Sequence, residues 1–528
     1  MARSTRRVPV LGLAAIALLA AGVERSAATS GASPSAVVRT AAPGSAASAL
    51  PAAQSSDVTL DTGTGVLAGT LLVPASPARP PVVLIIAGSG PTDRDGNSAG
   101  LPGKNDSLRM LAEALATRGI ASLRYDKRGI GQSAKAVSAE GESGLRFEHY
   151  VDDAARWIVM LRNDARFPIV GVVGHSEGSL IGMLAARMAR ADAFVSVAGV
   201  ARRASLVLRD QLAPQLSAVP ALGEQSERIL KALEAGETAG DVPPALLSLY
   251  RPSVQPYLIS WFRYDPAAEI AKLMVPVVIL QGTTDIQVSV DEAKALAAAK
   301  PDATLRIVDG MNHIMKHVSG GRAEQIPTYS DPSLPIVADV PDAIAGVMRN
   351  APPLGRRGTR GVRTERRSPR QIAIGTVGGV HVAIEYGSPQ KRGREIWGAL
   401  VPWGRVWMPG ADEATTITTS GPIRIGDLDV PAGDHTLYTL PADGPTDFTL
   451  IVSHEVGQFH TVYHEEQDLG RVRMALSPEV PAGGTRGPAE GLTFQLTPDA
   501  AGAIQLVLSW DNRHYSVPLA PAGPARVR

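Results

Sequence analysis

The sequence contains no cysteine. This absence excludes disulfide bonds, a cysteine nucleophile, thiolate metal ligands and a lipid anchor attached to cysteine. Aromatic residues are also scarce, at 4% of 528 residues, and acidic and basic residues almost cancel, leaving a net charge of +1. A balanced charge gives no indication of nucleic-acid binding. The length allows two or three domains with substantial cores.

Long apolar runs are almost absent, and the exception is residues 8–23. This run follows Arg3, Arg6 and Arg7 and precedes small residues, and that order is typical of a secretory signal peptide. We therefore predict a signal peptide over residues 1–28, an exported protein (periplasmic or extracellular), and no membrane span after signal removal. A retained membrane anchor is the alternative. The arginine pair matches a twin-arginine signal only in part, so the export route stays open.

The next stretches differ sharply in composition. Residues 29–56 are rich in Ala, Ser and Pro, which predicts a disordered linker. Residues 57–350 alternate apolar strands with helical periodicity, which predicts an α/β domain with a doubly wound, mostly parallel sheet. Within this domain, residues 200–270 are amphipathic in patches and predict a helical cap over the sheet, with ordinary connecting helices as the alternative. The aromatic residues of this span are expected to be exposed; they are Tyr250, Tyr257, Trp261 and Phe262.

The last third of the chain has another character. Residues 351–370 contain seven arginines and predict an exposed basic linker, with an anionic cell-surface partner as the alternative. Residues 371–520 contain short strands separated by turn signals, which predicts an all-β antiparallel sandwich. Residues 521–528 form a tail.

The motif Gly-His-Ser-Glu-Gly at residues 174–178 lies between an apolar β-branched run and a helical pattern. Strand, sharp turn and helix around G-x-S-x-G are typical of a nucleophile elbow. The turn exposes the serine hydroxyl, and the following helix N-terminus offers backbone N–H groups to a developing negative charge. Ser176 is therefore the predicted nucleophile.

A serine nucleophile needs a base, and residues 57–350 contain four histidines. His149 precedes a predicted surface helix, and His175 is the neighbour of Ser176 and cannot turn back onto its hydroxyl. His313 follows the last strand, at the sheet edge that carries the elbow. It is the predicted base, and His317 is the second choice.

The base in turn needs a carboxylate that orients it. Asp285 ends the preceding strand at the same sheet edge, while no acid follows the strand ending at residue 199. Asp302 and Asp309 are alternatives that fit surface or turn positions better. The order Ser176, Asp285, His313 is that of the α/β-hydrolase triad.

The oxyanion is expected to be bound by two backbone amides. One belongs to Glu177, whose side chain we place at the surface or behind the site, with no catalytic role. The other is assigned to Ser89, in the glycine-rich loop after the apolar strand at residues 82–86. A phosphate-binding loop is the rival interpretation, but the Gly-Lys-Ser/Thr that such a loop requires does not follow.

Residues 57–350 resemble bacterial α/β-hydrolases of the esterase and serine aminopeptidase-like group. The resemblance rests on GSGPTDRDG (88–96), YDKRGIGQS (125–133), GHSEG (174–178), QGTTD (281–285) and MNH (311–313). One departure is Ala-Gly at residues 87–88, where the family commonly has His-Gly. The resemblance implies hydrolysis of a small-molecule carboxylic ester or, as an alternative, of an amide. No cofactor, metal ion or nucleic acid is predicted, and the oligomeric state is left open.

Residues 371–520 resemble a bacterial domain family of unknown function that is common in exported proteins. The matching stretches are 393–407, with Trp397, Trp403 and Trp407, and then 410–415 and 431–438. The three tryptophans favour core packing over a ligand platform.

Three further histidines and a glutamate in this region lack the spacing of a metal site; they are His454, His460, His464 and Glu465. An alternative for the whole chain is a cell-envelope binding protein whose β-domain carries the main role.

Overall fold

The computed structural model describes residues 52–351, 367–442, 448–476, 489–499 and 501–522. The predicted signal peptide, most of the linker after it, most of the basic linker and most of the tail lie outside these residues. No helix in the described part of the chain combines the length and apolar character needed to cross a membrane.

The first sheet has eight strands in the order β1-β2-β4-β3-β5-β6-β7-β8. Pairing is antiparallel for β1 with β2 and for β2 with β4, and parallel elsewhere. The prediction of a mostly parallel sheet is confirmed. The strands are β1 (Gln54–Asp61), β2 (Val66–Val73), β3 (Val82–Ile86), β4 (Ala121–Tyr125), β5 (Val170–His175), β6 (Ala193–Val197), β7 (Val277–Gly282) and β8 (Thr304–Val308).

Burial of the central strands explains their composition. Every residue of β3, β5, β6 and β7 is buried, because helices cover both faces of a parallel sheet and leave no place for alternating polar residues. The edge strand β8 is largely exposed. Parallel pairing brings the carboxyl ends of β3, β5, β6, β7 and β8 to one edge, where the predicted site residues follow their strands.

Helices surround this sheet and build the cap. They are α1 (Ser107–Ala116), α2 (Phe147–Asn163), α3 (Glu177–Met188), α4 (Ala204–Leu216), α5 (Pro220–Glu234), α6 (Leu247–Tyr250), α7 (Gln255–Phe262), α8 (Pro266–Ala271), α9 (Val290–Ala299), α10 (Arg322–Gln325) and α11 (Asp339–Asn350). Short 3-10 helices occur at Gly131–Ser133, Gly141–Gly144, Pro244–Leu246, Ile326–Ser330 and Glu465–Gln467. Helices α4 to α8 occupy the span predicted as the cap.

Two local expectations differ from the structure. The aromatic residues of the cap, which the sequence suggests are exposed, are buried. Trp261, for example, stacks on Phe147 of α2 with ring centroids 5.9 Å apart, so cap and sheet helices share one core. The first strand also begins earlier than expected, because β1 starts at Gln54, inside the predicted linker, where Gln54 lies opposite Val73 of β2.

The second domain is all-β and antiparallel, as predicted. One continuous sheet runs in the order β13-β12-β19-β16-β15-β14-β11-β10-β9, with β18 also on β19 and β17 on β18. Because β17 lies against β9, the sheet curls over its own apolar core. Its strands are β9 (Arg370–Val377), β10 (Val380–Gly387), β11 (Thr416–Thr419), β12 (Ile423–Ile425), β13 (Leu428–Val430), β14 (Gly433–Pro441), β15 (Phe448–Ser453), β16 (Asp468–Leu476), β17 (Ala489–Pro498), β18 (Ile504–Asp511) and β19 (Arg513–Pro521).

Strands β9 and β10 dock on helix α2 of the first domain. Ala383 of β10 belongs to the apolar core of the α/β domain, and Ile372 and Ile374 of β9 pack against that core. At the end of α2, the Asn163 side chain donates to the carbonyl of Arg370 at 2.9 Å and accepts the Arg370 amide at 2.7 Å. Apolar packing and paired hydrogen bonds therefore join the two domains.

A buried charge cluster strengthens this junction. Arg370 and Glu385 are 0% and 1% exposed, and Arg370 Nε donates to Glu385 Oε1 at 3.1 Å. Arg190 of the first domain lies 3.4 Å from the other Glu385 oxygen, and Arg162 lies 3.7 Å from Glu413. Burial raises the pKa of Glu385, but the surrounding arginines more than offset this and leave it below its usual value. Glu385 is therefore an ionised carboxylate shared between the domains.

Glu385→Gln removes this charge and leaves the buried arginines without their main counter-ion. We expect unfolding to become easier by about 3–5 kcal/mol, the usual cost of breaking a buried ion pair from one side. A thermal melt followed by circular dichroism measures the change. Glu466→Gln, at an exposed position, is the matched control. Equal melting temperatures for the two variants would contradict the assigned role of the cluster.

Candidate active site

Ser176 occupies a strained turn between β5 and α3. Its backbone angles are φ 56° and ψ −121°, in the region that residues with a side chain rarely adopt. The turn must also pass very close to β3, because a Cβ on Gly178 would lie 2.4 Å from the carbonyl oxygen of Ile86. Glycine is therefore required at this position, and the tight contact holds the serine at the sheet edge.

Asp285 and His313 form a buried pair at the same edge. His313 Nδ1 and Asp285 Oδ2 are 2.8 Å apart, and the two side chains are 2% and 0% exposed. The other Asp285 oxygen accepts the backbone amides of Gln287 and Val288 at 2.7 and 3.0 Å. Burial raises the pKa of Asp285, but His313 and these amides outweigh it and lower the value overall. The carboxylate is thus ionised and fixes the orientation of the imidazole.

The loop that carries His313 touches the end of β7. A Cβ on Gly282 would lie 1.8 Å from the carbonyl oxygen of Met311, so the two backbones are in direct contact. With Nδ1 of His313 on Asp285, its other ring nitrogen, Nε2, is buried and has no hydrogen-bond partner in the described part of the chain. His313 and Ser176 line the same small pocket.

The alternative bases and acids lie elsewhere. His149 accepts a backbone amide in the first turn of α2, and His317 is exposed. Asp302 pairs with a neighbouring lysine, and Asp309 accepts a threonine hydroxyl at 3.0 Å. None of the four is hydrogen-bonded to Ser176 or to His313 among the contacts of the described residues.

His175 contributes something that its position in the sequence did not reveal. Its Nε2 donates to the carbonyl oxygen of His313 at 2.7 Å, and the two rings lie 4.8 Å apart. Burial, reinforced by the proximity of His313, lowers the pKa of His175 to about 4. The ring is therefore neutral, and its one N–H holds the backbone of His313 in place.

The Glu177 side chain is only 2% exposed, so of its two predicted places, at the surface or behind the site, the structure has the second. Lys127 Nζ lies 2.8 Å from Glu177 Oε2 and donates to the carbonyl oxygen of Gly88 at 2.7 Å. Tyr257 of the cap donates its hydroxyl to the other carboxylate oxygen. Burial and the Glu177 charge raise the pKa of Tyr257 well above its usual value, so the hydroxyl keeps its proton.

This buried ion pair joins three parts of the site: the elbow, the glycine-rich loop and the cap. The loop approaches the elbow closely, since a Cβ on Gly88 would lie 3.2 Å from the Cβ of Ser176. Ser89 and Glu177 both line a pocket with Ser176. Lys127 stands in the motif YDKRGIGQS, which carried the family resemblance but gave no sign of this contact.

Two small pockets meet at Ser176. The first, of about 40 Å³, has the polar side chains of Thr92 and Asn105 in its wall. The second, of about 30 Å³, lies under the cap and is largely apolar, with Val207, Trp261 and Val288. A larger cleft of about 460 Å³ shares Val207 and Val288 with the second pocket. In the described residues, no three His, Asp or Glu side chains are grouped so that they could hold a metal ion.

Comparisons with known proteins agree with this two-part organisation. A family model described as "Serine aminopeptidase, S33" matches residues 100–235, and the model "Protein of unknown function (DUF2911)" matches residues 368–519. Esterase EstD of Thermotoga maritima is 26% identical over 253 residues, which cover 47% of this chain. The chain spans 58% of the length of that relative.

Among solved structures, Est1E of Butyrivibrio proteoclasticus with bound ferulic acid is 18% identical. The match covers 56% of this chain and 98% of Est1E, with a TM-score of 0.37. An esterase of Pyrococcus furiosus is 14% identical, over 57% of this chain and 92% of its own, with a TM-score of 0.39.

The parallel sheet, the elbow at the end of β5 and the two matching family models lead to one assignment. The first part of the chain is similar to α/β-hydrolases, and the second part is similar to the DUF2911 family of unknown function.

Proposed function

We propose that this protein is an exported serine hydrolase that cleaves carboxylic esters through Ser176, His313 and Asp285. The observation that carries the proposal is the unpartnered Nε2 of His313, which is buried in the pocket that Ser176 lines while Nδ1 is held by Asp285. An imidazole oriented in this way presents Nε2 as the acceptor for the proton of a serine hydroxyl.

In the proposed reaction, Ser176 Oγ attacks the ester carbonyl carbon while its proton passes to His313 Nε2. The backbone amides of Ser89 and Glu177 donate to the resulting oxyanion, and ionised Asp285 stabilises the imidazolium. His313 then protonates the departing alcohol. Water, deprotonated by His313, attacks the acyl-serine, and the carboxylic acid leaves as His313 returns that proton to Ser176 Oγ.

The pockets favour a short acyl group. A cavity of about 30 or 40 Å³ accommodates only a few non-hydrogen atoms, about the size of an acetyl group. The larger cleft beside the apolar pocket offers space for the rest of the substrate. The name of the Thermotoga maritima relative supports esters, whereas the S33 family model keeps aminoacyl amides as the second candidate.

Export is the part of the proposal that rests on the N-terminal sequence alone, with its basic, apolar and small-residue zones. N-terminal sequencing of the protein recovered from the medium or periplasm of its host tests it. A new N-terminus near residue 29 supports export with signal removal, and an intact Met1 in the cytoplasmic fraction contradicts it.

Ser176→Ala is expected to lower kcat on p-nitrophenyl acetate by at least about four orders of magnitude, and Asp285→Asn by about 10⁴, because each removes a group of the triad. Asp302→Asn, at an exposed carboxylate, is the matched control and should leave the rate unchanged. Initial rates on this ester and on alanine p-nitroanilide separate esterase from amidase activity. Undiminished turnover by Ser176→Ala would refute the mechanism.

Acyl-chain length gives a second test. We expect kcat/KM on p-nitrophenyl acetate to exceed that on p-nitrophenyl octanoate by at least about tenfold, because extra methylenes meet the wall of a small pocket. Val207→Ala enlarges the apolar pocket and should narrow this ratio. Val219→Ala, which is exposed on the cap, should not. A wild-type preference for octanoate would show that the two pockets do not hold the acyl group.

His175→Phe removes the donor to the His313 carbonyl and should lower kcat about tenfold to a hundredfold, with little change in KM, through misplacement of the base. His175→Gln, which can still donate, should recover part of the rate. The pKa of His175 is lowered to about 4, so its ring gains a proton only when the pH falls through that value. Above about pH 5 the ring is neutral. The pH profile of kcat/KM between about pH 5 and 9 should therefore keep its midpoint in both variants. A shifted midpoint would show that His175 itself titrates in this range.

A further inference from the structure

The DUF2911 domain contains a cleft that the proposed esterase site does not use. It has a volume of about 510 Å³, within the range of pockets that bind small molecules. Its lining residues come from the start of the domain, from the segment after β10, from the loop before β11, from the segment after β15 (His460) and from β18. Arg367, Arg392 and Arg394 contribute to it, and none of the described residues that line it is acidic.

The arginines are arranged as donors without acidic partners. Arg394 is held by the backbone, since its Nε and Nη2 donate to the carbonyl oxygens of Lys391 and Gln390 at 3.1 and 2.6 Å. Arg392 donates through Nη2 to the carbonyl of Arg367 at 2.7 Å. Glu490, the carboxylate beside it, accepts the Arg392 backbone amide at 2.8 Å. No ion pair joins any of the three guanidinium groups to a described carboxylate, so their charge is available to a ligand.

Two tryptophans supply the apolar side of the cleft. Trp407 is half-buried and lies nearly parallel to the fully buried Trp510, at 16° and with ring centroids 5.9 Å apart. The backbone N–H and carbonyl of Trp407 both pair with Thr439 of β14 at 2.7 Å. The backbone of Trp407 is therefore anchored, and its ring rests on Trp510. Trp397, by contrast, lies in the core and stacks on Trp403. The three tryptophans at 397, 403 and 407 therefore do not form one platform.

We propose that this cleft binds a small molecule that carries a carboxylate on a ring with an apolar face. The planar carboxylate matches the guanidinium fork, which can donate two parallel hydrogen bonds. The ring, whether aromatic or a sugar, is expected to lie on Trp407 and against Leu400. A bare inorganic oxyanion would leave this apolar half of the cleft without a partner. The proposal concerns the β-domain alone and does not depend on the esterase mechanism.

Titration calorimetry of the full chain at low salt tests the proposal, with benzoate and galacturonate as ring carboxylates, and benzamide and galactose as their neutral counterparts. We expect at least one acid to bind about tenfold more tightly than its neutral counterpart, and added salt to weaken this binding. Which acid binds distinguishes an aromatic from a sugar ligand. Inorganic phosphate is the third anionic probe, after benzoate and galacturonate, and it is expected to bind more weakly than the preferred acid.

The double variant Arg367→Gln, Arg392→Gln should weaken binding of that acid by about tenfold or more, because it removes two charged donors. Arg424→Gln, at an exposed arginine outside the cleft, is the matched control and should bind as the wild type does. Trp407→Leu should weaken the ring acid and leave phosphate unaffected. The proposal is overturned if neither acid binds, if phosphate binds more tightly than both, or if the double variant binds like the control.

Discussion

The left-handed backbone of Ser176 is the constraint on which the site depends. Such a conformation costs about 1–3 kcal/mol and persists only where the surroundings enforce it. Here Gly178 presses against the carbonyl of Ile86, and the residues on either side of the serine, His175 and Glu177, are each anchored to another segment. The strained turn thus determines where the base loop, the glycine-rich loop and the cap meet.

The ion pair of Lys127 with Glu177 shows how those segments are kept together. Burying two charges costs desolvation free energy, and their mutual attraction offsets this cost only where the remaining donors and acceptors also have hydrogen-bond partners. The carbonyl of Gly88 and the hydroxyl of Tyr257 meet that requirement. Because Tyr257 belongs to the cap, the cap is part of the same polar network as the loop that carries Ser89. Cap packing and the geometry around the serine are therefore physically linked.

The sequence predicted what depends on local pattern and on strand order. Alternating strands and helices indicated the parallel sheet, and strand-end positions indicated that Asp285 and His313 would meet, as their 2.8 Å contact shows. It left the Glu177 side chain open between the surface and a place behind the site, and it did not predict the tether from His175 or the buried aromatic residues of the cap. Each of these depends on contacts between segments about 80 to 140 positions apart, and no periodicity in a single element records them. The roles of Ser89 and Glu177 as oxyanion donors stay predictions.

The charge cluster between the domains has a consequence for how the chain can be divided. Glu385 and Glu413 of the β-domain neutralise Arg162 and Arg190 of the α/β-domain, and Ala383 completes the apolar core of the latter. An α/β-domain produced alone would present unpaired cations around an uncovered apolar strip, a surface suited to self-association. A chain cut between residues 352 and 366 would instead retain both sides of this interface. Proteolytic cleavage between the two domains, rather than deletion of one of them, therefore removes the covalent link and leaves the contact between the domains in place.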